Sequence, residues 1–445
     1  MARSATVGQP ASTPDSALQA ILGGLEGTPL RLREAVQYAS GNATSIGKAE
    51  VTYLAAGGSV RREAGLFDPR MFFSFEYQDL RQPTSSFFSG APILSTQVGM
   101  GQAGVRMNLP IGTEIELSLN TLRTNTNSEF AFLNPEYDAF GSIAFRQPLL
   151  GGFAASARKQ LTKAERDLDA GKARYDQQVL VAGAAVELLY WDLYAAERDY
   201  AAQRLTRDRA RAFLTEAELR AKTGLIGPNQ VANARTSLAE QELLLIEREE
   251  QLDHQSDQLA SMIGTRPRAG VSRFLTMDEP PEDVTVGPVD SLVETAMRNN
   301  LDLHAARKDV EANQALASAA GWEALPSVNL IGSLSGTGLA GSTENVIFNG
   351  DTLRIDRAGG FGDALSQVAR RLFPGWRLGV EVSIPIGFRS GLGEKDRLEA
   401  QVLGAQQEYI EKARALEEQV RAACRELAHG RERLRAAREG VDAAA

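Results

Sequence analysis

The sequence predicts a mixed α+β fold in which a block of β-strands followed by a long α-helical hairpin occurs twice. One observation is a set of long runs rich in Ala, Glu, Arg and Leu, a composition typical of extended helices. A second is a group of short runs in which apolar and polar residues alternate, as they do in strands. The third is a junction that occurs twice, as "FRQPLLGGF" at 145–153 and as "VSIPIGFRSG" at 382–391. Both junctions lie between a predicted strand and a predicted helix, so the chain is interpreted as a tandem duplication.

The duplication divides the chain into three predicted parts. Residues 1–27 are predicted to be a flexible N-terminal segment, because they are rich in Ala, Ser, Thr, Gly and Pro without periodicity. The first repeat, 28–280, is predicted to contain a helix, strands at about 70–148 and a long helical hairpin at about 155–264. The second repeat, 281–445, is predicted to contain a helix, strands at about 327–386 and a long helix at about 391–445.

Alternation of period two predicts the strands. In "MFFSFEYQ" the aromatic residues Phe73, Phe75 and Tyr77 share one face, and "AGVRMNLP", "TEIELSLN", "YDAFGSIAF", "SVNLIGSL" and "WRLGVEVSI" alternate in the same way. Each strand therefore has an apolar face and a face with polar residues. The two strands of the second repeat cannot bury an edge alone, so partners from other chains are expected. A closed membrane barrel shared between chains is one solution, and a soluble β-sandwich is the other.

The hairpin is predicted from helical periodicity and from its turn. Apolar residues recur every seven positions on the second arm, at Val231, Leu238, Leu245, Leu252 and Leu259. This spacing predicts a narrow seam between two helices packed side by side. The stretch "KTGLIGPNQVANAR" at 222–235 contains the Gly and Pro residues that end one helix and begin the next. The first arm, at about 155–222, would be roughly 100 Å long.

Charge and hydropathy limit the classes of partner. The net charge is −9 with both signs interspersed, which argues against nucleic-acid binding. No stretch is predicted to provide the ~18 to 20 apolar residues of a spanning helix. The N-terminus also lacks the apolar core of about 7–15 residues found in a secretory signal. Neither absence excludes a membrane β-barrel, whose strands are only about 9–11 residues of alternating character.

No catalytic, cofactor or metal site is predicted. His254, His304 and His429 lie on predicted helices without the spacing of metal ligands. "GTGLAG" at 336–341 matches a dinucleotide-binding pattern, but the helix that would hold the pyrophosphate does not follow it. This Gly-rich insert is predicted to be an extracellular loop. The chain is therefore predicted not to be an enzyme.

Several of these features together resemble the TolC family of outer-membrane channels. The resemblance depends on the order of elements, on "QPLLGG" and "IPIG" at the junctions, on "VELLYWDLY" at 186–194 and on "TGLIGPNQVANAR" at 223–235. It implies a homotrimer in which a β-barrel crosses the outer membrane and an α-helical barrel continues it through the periplasm. It further implies a passive conduit of a tripartite efflux or type I secretion system, which works with a periplasmic adaptor and an inner-membrane pump.

The resemblance places the adaptor contact at the hairpin tip, on Thr223, Gly224, Leu225 and Ile226. Elementary physical chemistry agrees, because exposed Leu and Ile side chains at a helical tip offer an apolar knob for a groove on a partner. The alternative is that Leu225 and Ile226 pack only against each other and cap the hairpin.

The residues of the two strand-to-helix junctions are Pro148, Gly151 and Gly152 in the first repeat and Pro385 and Gly387 in the second. Each proline is expected to end a strand, since it removes a ladder hydrogen bond. The glycines are expected to provide the turn into the following helix.

Three features depart from the family pattern. No signal peptide is recognised, and the first repeat shows four strand-like runs where the family usually has two. Shifting the first tip by the 237 residues between Pro148 and Pro385 places the second tip near position 460, so the second hairpin is expected to be incomplete. The competing prediction is a soluble or periplasmic coiled-coil scaffold or adaptor. A scaffold would leave the apolar faces of the strands unexplained, and an adaptor would carry one hairpin rather than a duplicated strand-helix unit.

Overall fold

The computed structural model describes residues 14–268, 270, 273–281, 287–348 and 350–444. It confirms the mixed α+β class, with long helices and an antiparallel sheet. The helices, numbered along the chain, are α1 Pro14–Leu22, α2 Leu32–Asn42, α3 Thr44–Ala64, α4 Ala155–Lys222, α5 Pro228–Ile263, α6 Val289–Asn299, α7 Leu301–Glu323, α8 Phe361–Ala369 and α9 Arg389–Ala444. The strands are β1 Thr28–Leu30, β2 Arg70–Pro83, β3 Ile93–Asn108, β4 Glu114–Thr126, β5 Leu133–Leu150, β6 Phe274–Thr276, β7 Ser327–Thr343, β8 Val346–Phe348, β9 Asp351–Leu353 and β10 Phe373–Ser383.

The chain forms two compact units, which are described separately. The helical unit comprises 1–54, 171–302 and 415–445, and the sheet unit comprises 55–170 and 303–414. The unit boundaries differ from the predicted repeat boundary at 280/281, because each unit contains residues from both predicted repeats.

In the helical unit, the predicted seam lies on the buried side of α5, in a core that also contains residues of α2 and α4. Leu252 and Leu259 are fully buried, and the three earlier heptad residues are half-buried. Polar contacts flank this seam, since Arg211 pairs with Glu242 at 2.7 Å and the Gln203 amide donates to the side-chain oxygen of Gln241 at 3.0 Å. The last two residues of the predicted seam are therefore in the core, and the polar contacts join α5 to α4.

The sheet unit contains a six-stranded antiparallel sheet with the strand order β10-β7-β5-β4-β3-β2. Strands β2 to β5 form a meander, and β7 pairs with β5 on one side and with β10 on the other. The predicted tight turn "LPIGT" joins β3 to β4, where the Gly112 amide donates to the carbonyl of Leu109 at 2.8 Å. All four strand-like runs of the first repeat therefore belong to the same sheet as the two strands of the second.

The prediction for the Gly-rich insert is wrong. "GTGLAG" is not a loop, because residues 336–341 lie inside β7. Glycine is a poor strand former in isolation, but here it lets another backbone approach closely. A Cβ atom added to Gly338 would collide with the carbonyl oxygen of Ala364 in α8. Tertiary packing has therefore overridden local propensity.

Two further expectations need correction. Residues 1–27 were expected to be flexible; residues 1–13 lie outside the described part of the chain, and Pro14–Leu22 is helical. Its apolar residues Leu18, Ile21 and Leu22 follow helical spacing, and Pro14 suits a first turn.

The sequence was also expected to contain no stretch apolar and long enough to form a membrane-spanning helix. One 18-residue window of α4, however, has a mean hydropathy of 1.4 with no more than two charged residues. Only 28% of this window is buried. One such helix is weak support for a membrane span, because a core helix passes the same test. The window includes Val186, Tyr190 and Leu193, which belong to the protein core of the helical unit.

Candidate functional site

The tip of the hairpin is a helix end closed by backbone hydrogen bonds. Gly224 has φ +76°, the left-handed region that glycine adopts without strain. Its amide donates to the carbonyl of Ala221 at 3.0 Å, and the Leu225 amide donates to the carbonyl of Arg220 at 2.9 Å. This pair of bonds is a Schellman motif, which satisfies carbonyls at the end of α4. The tip is therefore held by its backbone, without help from the Leu225 side chain.

The side chains of the tip are mostly exposed. Leu225 is 75% exposed, whereas Ile226 is half-buried. Thr223 is also exposed, and its hydroxyl donates to the carbonyl of Arg220 at 2.9 Å. One helical turn back, Arg220 forms an ion pair with Glu216. The tip thus presents a single large apolar side chain next to charged groups.

The first strand-to-helix junction is built on residues with positive φ. Pro148 does not end its strand as expected, because β5 continues to Leu150 through a bulge between these two residues. Gly151 has φ +59° and Gly152 has φ +117°. The Ala154 amide then donates to the carbonyl of Ile111 in the β3–β4 turn at 3.2 Å, immediately before α4 begins.

The second junction also contains residues with positive φ. Strand β10 ends at Ser383, two residues before Pro385, and Gly387 has φ +93°. Phe388 follows at φ +52°, and α9 begins at the next residue. The two junctions therefore share left-handed residues immediately before a long helix, while the role of the proline differs between them.

The sheet has two chemically different faces, which we call the apolar face and the polar face. Strand pairing places one row of apolar residues across all six strands: Met71, Val105, Leu117, Ile143, Leu334 and Trp376. Many large side chains on this face are exposed, with values of 85% for Met71 and 78% for Trp376. Within the described part of the chain, the apolar face is therefore not covered by a second sheet as in a β-sandwich.

The polar face carries charged and amide side chains at the alternate positions. Arg106 and Glu116 form an ion pair at 2.7 Å across β3 and β4, and Arg146 reaches Glu381 on β10 at 3.0 Å. Gln102 lies opposite Asn120 farther along the same face. All four charged side chains are at least one-third exposed, so these pairs remain in contact with water.

The height of the apolar face can be read along β7. Apolar or small residues occupy this face from Val328 to Ala340, about 40 Å along the strand and about 30 Å along the axis of a barrel with strands tilted by about 40°. At its upper limit Tyr77, Arg123 and Tyr137 lie at one level, and Asp79 follows on β2. A transmembrane barrel has an apolar band about 25 Å high between aromatic girdles. The height of the apolar face and the tyrosines at its upper limit fit this pattern of a transmembrane barrel.

Sequence reasoning missed a polar cluster in the core of the helical unit. The Tyr190 hydroxyl is fully buried and accepts hydrogen bonds from the amides of Met277, at 2.9 Å, and Asp278, at 3.1 Å. It lies 2.9 Å from the Asp278 carboxylate and 3.0 Å from the carbonyl of Leu30. Burial raises the pKa of Tyr190 to about 12. Hydrogen bonds from the Leu32 amide and from Tyr190 hold the pKa of Asp278 below its ordinary value.

A second buried group holds the same segment. Glu197 is 4% exposed, and its carboxylate accepts bonds from the amide and the hydroxyl of Thr276, both at 2.7 Å. Burial raises the pKa of Glu197 despite these bonds. The segment at the end of the first predicted repeat, which forms β6 and pairs with β1, is thus fixed to α4. The aromatic run "VELLYWDLY" contains Tyr190, but nothing local in the sequence identifies its partners.

Comparisons with known proteins agree with this geometry. The family model described as "Outer membrane efflux protein" matches residues 100–265 and 292–445. A search of curated protein sequences gives no match.

Among solved structures, the outer-membrane channel OprN has a TM-score of 0.62 at 17% identity, covering 91% of this chain and 76% of its own. The CmeC channel of Campylobacter jejuni has a TM-score of 0.56 at 13% identity, with 86% and 67% covered. The open state of the Neisseria gonorrhoeae MtrE channel has a TM-score of 0.52 at 16% identity, with 92% and 74% covered. These likenesses concern the fold, while the family model covers well over half of the chain. The chain therefore belongs to the outer membrane efflux protein family.

Proposed function

We propose that three copies of this chain form a passive channel through the outer membrane, which connects a periplasmic adaptor and an inner-membrane pump to the exterior. Family membership supports the outer-membrane efflux channel itself. The trimer, the adaptor, the pump and the periplasmic position of the helices are the proposed parts. The observation that carries the proposal is the exposed apolar face of the six-stranded sheet.

The free edges of the sheet support assembly from several copies. Strands β2 and β10 are the two ends of the sheet, so each has one row of backbone amides and carbonyls without a ladder partner in the described part of the chain. In hydrocarbon such groups must be paired, which requires a closed barrel. Eight strands enclose only enough space for side chains, whereas 16–18 strands leave an aqueous channel. Three copies of this sheet provide eighteen strands.

The polar face supports a conduit. In a barrel with the apolar face toward lipid, Arg106, Glu116, Arg146 and Glu381 line the lumen. Their opposite charges are paired in the plane of the wall, so the lumen is polar without a strong field of one sign. Such a wall selects little among solutes, and the choice of cargo falls to the pump. The chain catalyses no step in this proposal.

The hairpin tip supports the adaptor contact. Leu225 is exposed, while the backbone bonds around Gly224 hold the turn without it. An exposed leucine on a rigid turn can enter an apolar groove on a partner at little cost in conformational entropy. We therefore propose Thr223, Gly224, Leu225 and Ile226 as the adaptor contact.

Particle mass and conductance test the channel. The protein is solubilised from outer membranes in detergent, its protein mass is measured, and the same particles are inserted into a planar bilayer. Three chains per particle with steady single-channel conductance are expected. A monomer that needs no detergent would contradict the channel and favour the scaffold or adaptor hypothesis.

Substitutions at the tip test the adaptor contact. Leu225→Asp is expected to abolish cross-linking to the adaptor and export in cells, because it places a charge in an apolar groove. Leu225→Met is the matched control and is expected to preserve both. Trimer mass and conductance of the purified Leu225→Asp variant are expected to equal the wild type. Normal export by Leu225→Asp would contradict the role of the tip.

A further inference from the structure

The two edge strands of the sheet are offset along the strand direction. Arg377 of β10 is level with Arg70, the first residue of β2, when the strand pairing is followed across the sheet. Six residues, Leu378–Ser383, therefore extend beyond β2 at the end of the sheet next to the strand-to-helix junctions. At the other end β10 begins at Phe373, and nine residues of β2, Phe75–Pro83, extend beyond it. Two such edges pair fully only when one of them is shifted along the other.

The offset matches the shift with which a barrel closes. The wall of a barrel advances along its strands as it goes round, and this advance sets the tilt of the strands. If β10 of one copy is shifted by six residues along β2 of a neighbouring copy, all 11 residues of β10 lie opposite residues 70–80. Six residues correspond to about 20 Å along the strands, against about 29 Å for the width of the six strands of one copy. The resulting tilt is about 35°, within the range of about 35–45° found in barrels.

Other shifts are excluded or are left for the side chains to decide. Side chains alternate between the two faces, so any odd shift would place apolar residues opposite polar ones. A shift of four residues gives a tilt of about 25° and leaves Val382 and Ser383 without partners. A shift of eight residues gives a tilt of about 43° and pairs all of β10. Geometry therefore leaves shifts of six and eight residues.

The apolar faces of the two edges match under a shift of six residues. Each of the eight apolar edge residues is between 56% and 85% exposed in a single copy. Aromatic and branched side chains that lie directly opposite each other stabilise paired strands. A shift of eight residues would instead place Trp376 opposite the carboxylate of Asp79. The pairs formed by the six-residue shift are Met71 with Val382, Phe73 with Val380, Phe75 with Leu378 and Tyr77 with Trp376.

The charges on the polar face match under the same shift. Arg377 lies opposite Glu76, and both side chains are exposed in a single copy. Neither belongs to an ion pair in the described part of the chain, since the two ion pairs of the polar face use other residues. Opposite charges directly across two strands stabilise their pairing. A shift of eight residues would place Arg377 opposite the neutral Gln78.

We propose that β10 of one copy pairs with β2 of the next copy in this six-residue register, with Trp376 opposite Tyr77 and Arg377 opposite Glu76. The inference rests on the proposed function, because these edges meet only in a barrel built from several copies. All neighbouring strands of the sheet are antiparallel, so β2 and β10 run in opposite directions and pair in the same antiparallel way. A second copy of this chain is the partner of each edge, because the two edges complement each other in length, in apolar face and in charge.

Disulfide cross-linking reads the register directly. Gly379 lies opposite Ser74 in the six-residue register, and a Cβ at Gly379 meets only ordinary contacts. Gly379→Cys is combined in turn with Phe72→Cys, Ser74→Cys and Glu76→Cys, which correspond to shifts of four, six and eight residues. Each pair is made in a Cys424→Ser background, because Cys424 is the single cysteine of the chain. Outer membranes are oxidised with copper phenanthroline, and cross-linked chains are resolved on non-reducing gels.

The pair with Ser74→Cys is expected to give about fivefold more cross-linked chain than either other pair. A register two residues away separates the Cα atoms by about 8 Å, whereas a disulfide spans at most about 7 Å. Within one copy the two positions lie on opposite edges, about 24 Å apart, so the product joins different copies. A maximum with Phe72→Cys or Glu76→Cys would overturn the register. Absence of cross-links in particles with the mass and conductance of a three-chain channel would overturn the edge pairing alone, whereas a monomeric mass would overturn the proposed function as well.

Charge exchange tests the ion pair between copies. Arg377→Glu places two carboxylates opposite each other and is expected to lower the fraction of trimer that survives heating in detergent by about threefold. Adding Glu76→Arg is expected to restore the trimer, whereas adding Gln78→Arg, the matched control two residues away, is not. An unchanged trimer in Arg377→Glu would contradict the contact with Glu76. Equal or better rescue by Gln78→Arg would overturn the six-residue register.

Discussion

The buried hydroxyl of Tyr190 provides a prediction whose magnitude follows from its hydrogen bonds. In Tyr190→Phe the Met277 amide keeps the Leu30 carbonyl as an acceptor at 3.2 Å, whereas the Asp278 amide loses the acceptor that Tyr190 supplied. A buried donor left unpaired costs about 1–3 kcal/mol, and a hydrogen bond to the Asp278 carboxylate contributes about 1.5–3 kcal/mol in a buried setting. Because Asp278 is partly exposed, we expect a total loss of about 2–4 kcal/mol in the free energy of unfolding of the helical unit.

The assay is urea unfolding in detergent, followed by circular dichroism at the helix band and by tryptophan fluorescence. Trp191 is a local reporter, since its ring lies 5.3 Å from that of Tyr190. Tyr194→Phe is the matched control on the same helix. Tyr194 stacks under Arg198 through its ring, which phenylalanine retains, so we expect a change within about 0.5 kcal/mol. A loss below about 0.5 kcal/mol in Tyr190→Phe, or an equal loss in both variants, would refute the reasoning.

The same hydroxyl predicts a dependence on alkaline pH. The pKa of Tyr190 is about 12 in the folded protein and 10.0 in its ordinary state, so the folded state holds the proton more tightly. The contribution of Tyr190 to the free energy of unfolding is fully present below pH 10. It decreases by about 2–3 kcal/mol as the pH rises toward 12. Tyr190→Phe lacks this titration, so the difference in stability between the two proteins should shrink over that interval. A constant difference would show that Tyr190 does not titrate as stated.

Three further predictions address other parts of the chain. Gly338→Ala should displace α8 and speed tryptic cleavage C-terminal to this helix. Gly379→Ala is the control, because a Cβ there meets only ordinary contacts, and equal cleavage rates in the two variants would contradict the packing of α8 on Gly338. Arg106→Gln should shift the channel reversal potential toward cation selectivity, and Glu116→Gln should shift it toward anion selectivity. Each variant should change stability by less than about 1 kcal/mol because the ion pair is exposed, and shifts of the same sign would exclude a luminal position. Glu197→Gln should be at least as stable as the wild type at pH 7.5, because the raised pKa of Glu197 means that its ionised form opposes folding above pH 4.5. The stability advantage of the variant should vanish at acidic pH, and urea unfolding midpoints at both pH values test this.

Elements set by local pattern could be predicted from the sequence. The seven-residue spacing of Leu252 and Leu259 predicted the buried face of α5, and both residues are fully buried. The alternation in β2 to β5 predicted four strands, because side chains on a strand point to opposite faces in turn. The turn at Gly224 was also predictable, since a glycine followed by Gly-Pro ends one helix and begins another.

Elements set by distant partners could not be predicted. Gly338 is in a strand because α8 packs over it, and α8 lies 23 residues later in the chain. The partners of Tyr190 at 277 and 278 are almost ninety residues away, so no local pattern identifies that cluster. The proline at 148 misled the prediction of the strand end because a bulge accommodates it. Local periodicity thus predicted the elements but not which backbones approach each other.

The pairing of β5 with β7 constrains the order in which the protein can fold. Ile143 pairs with Leu334, so these two neighbouring strands of the sheet are about 190 residues apart in the chain. The meander of β2 to β5 can form from neighbouring hairpins, but its β5 edge then stays open while the helical hairpin and the next helices are being translated and delivered. Contacts over such separations form slowly, and an open edge can pair with another chain in the meantime. We therefore expect correct assembly of the sheet to require protection of the β5 edge until β7 pairs with it, so a chaperone that prevents misassembly would bind the incomplete sheet rather than the helices.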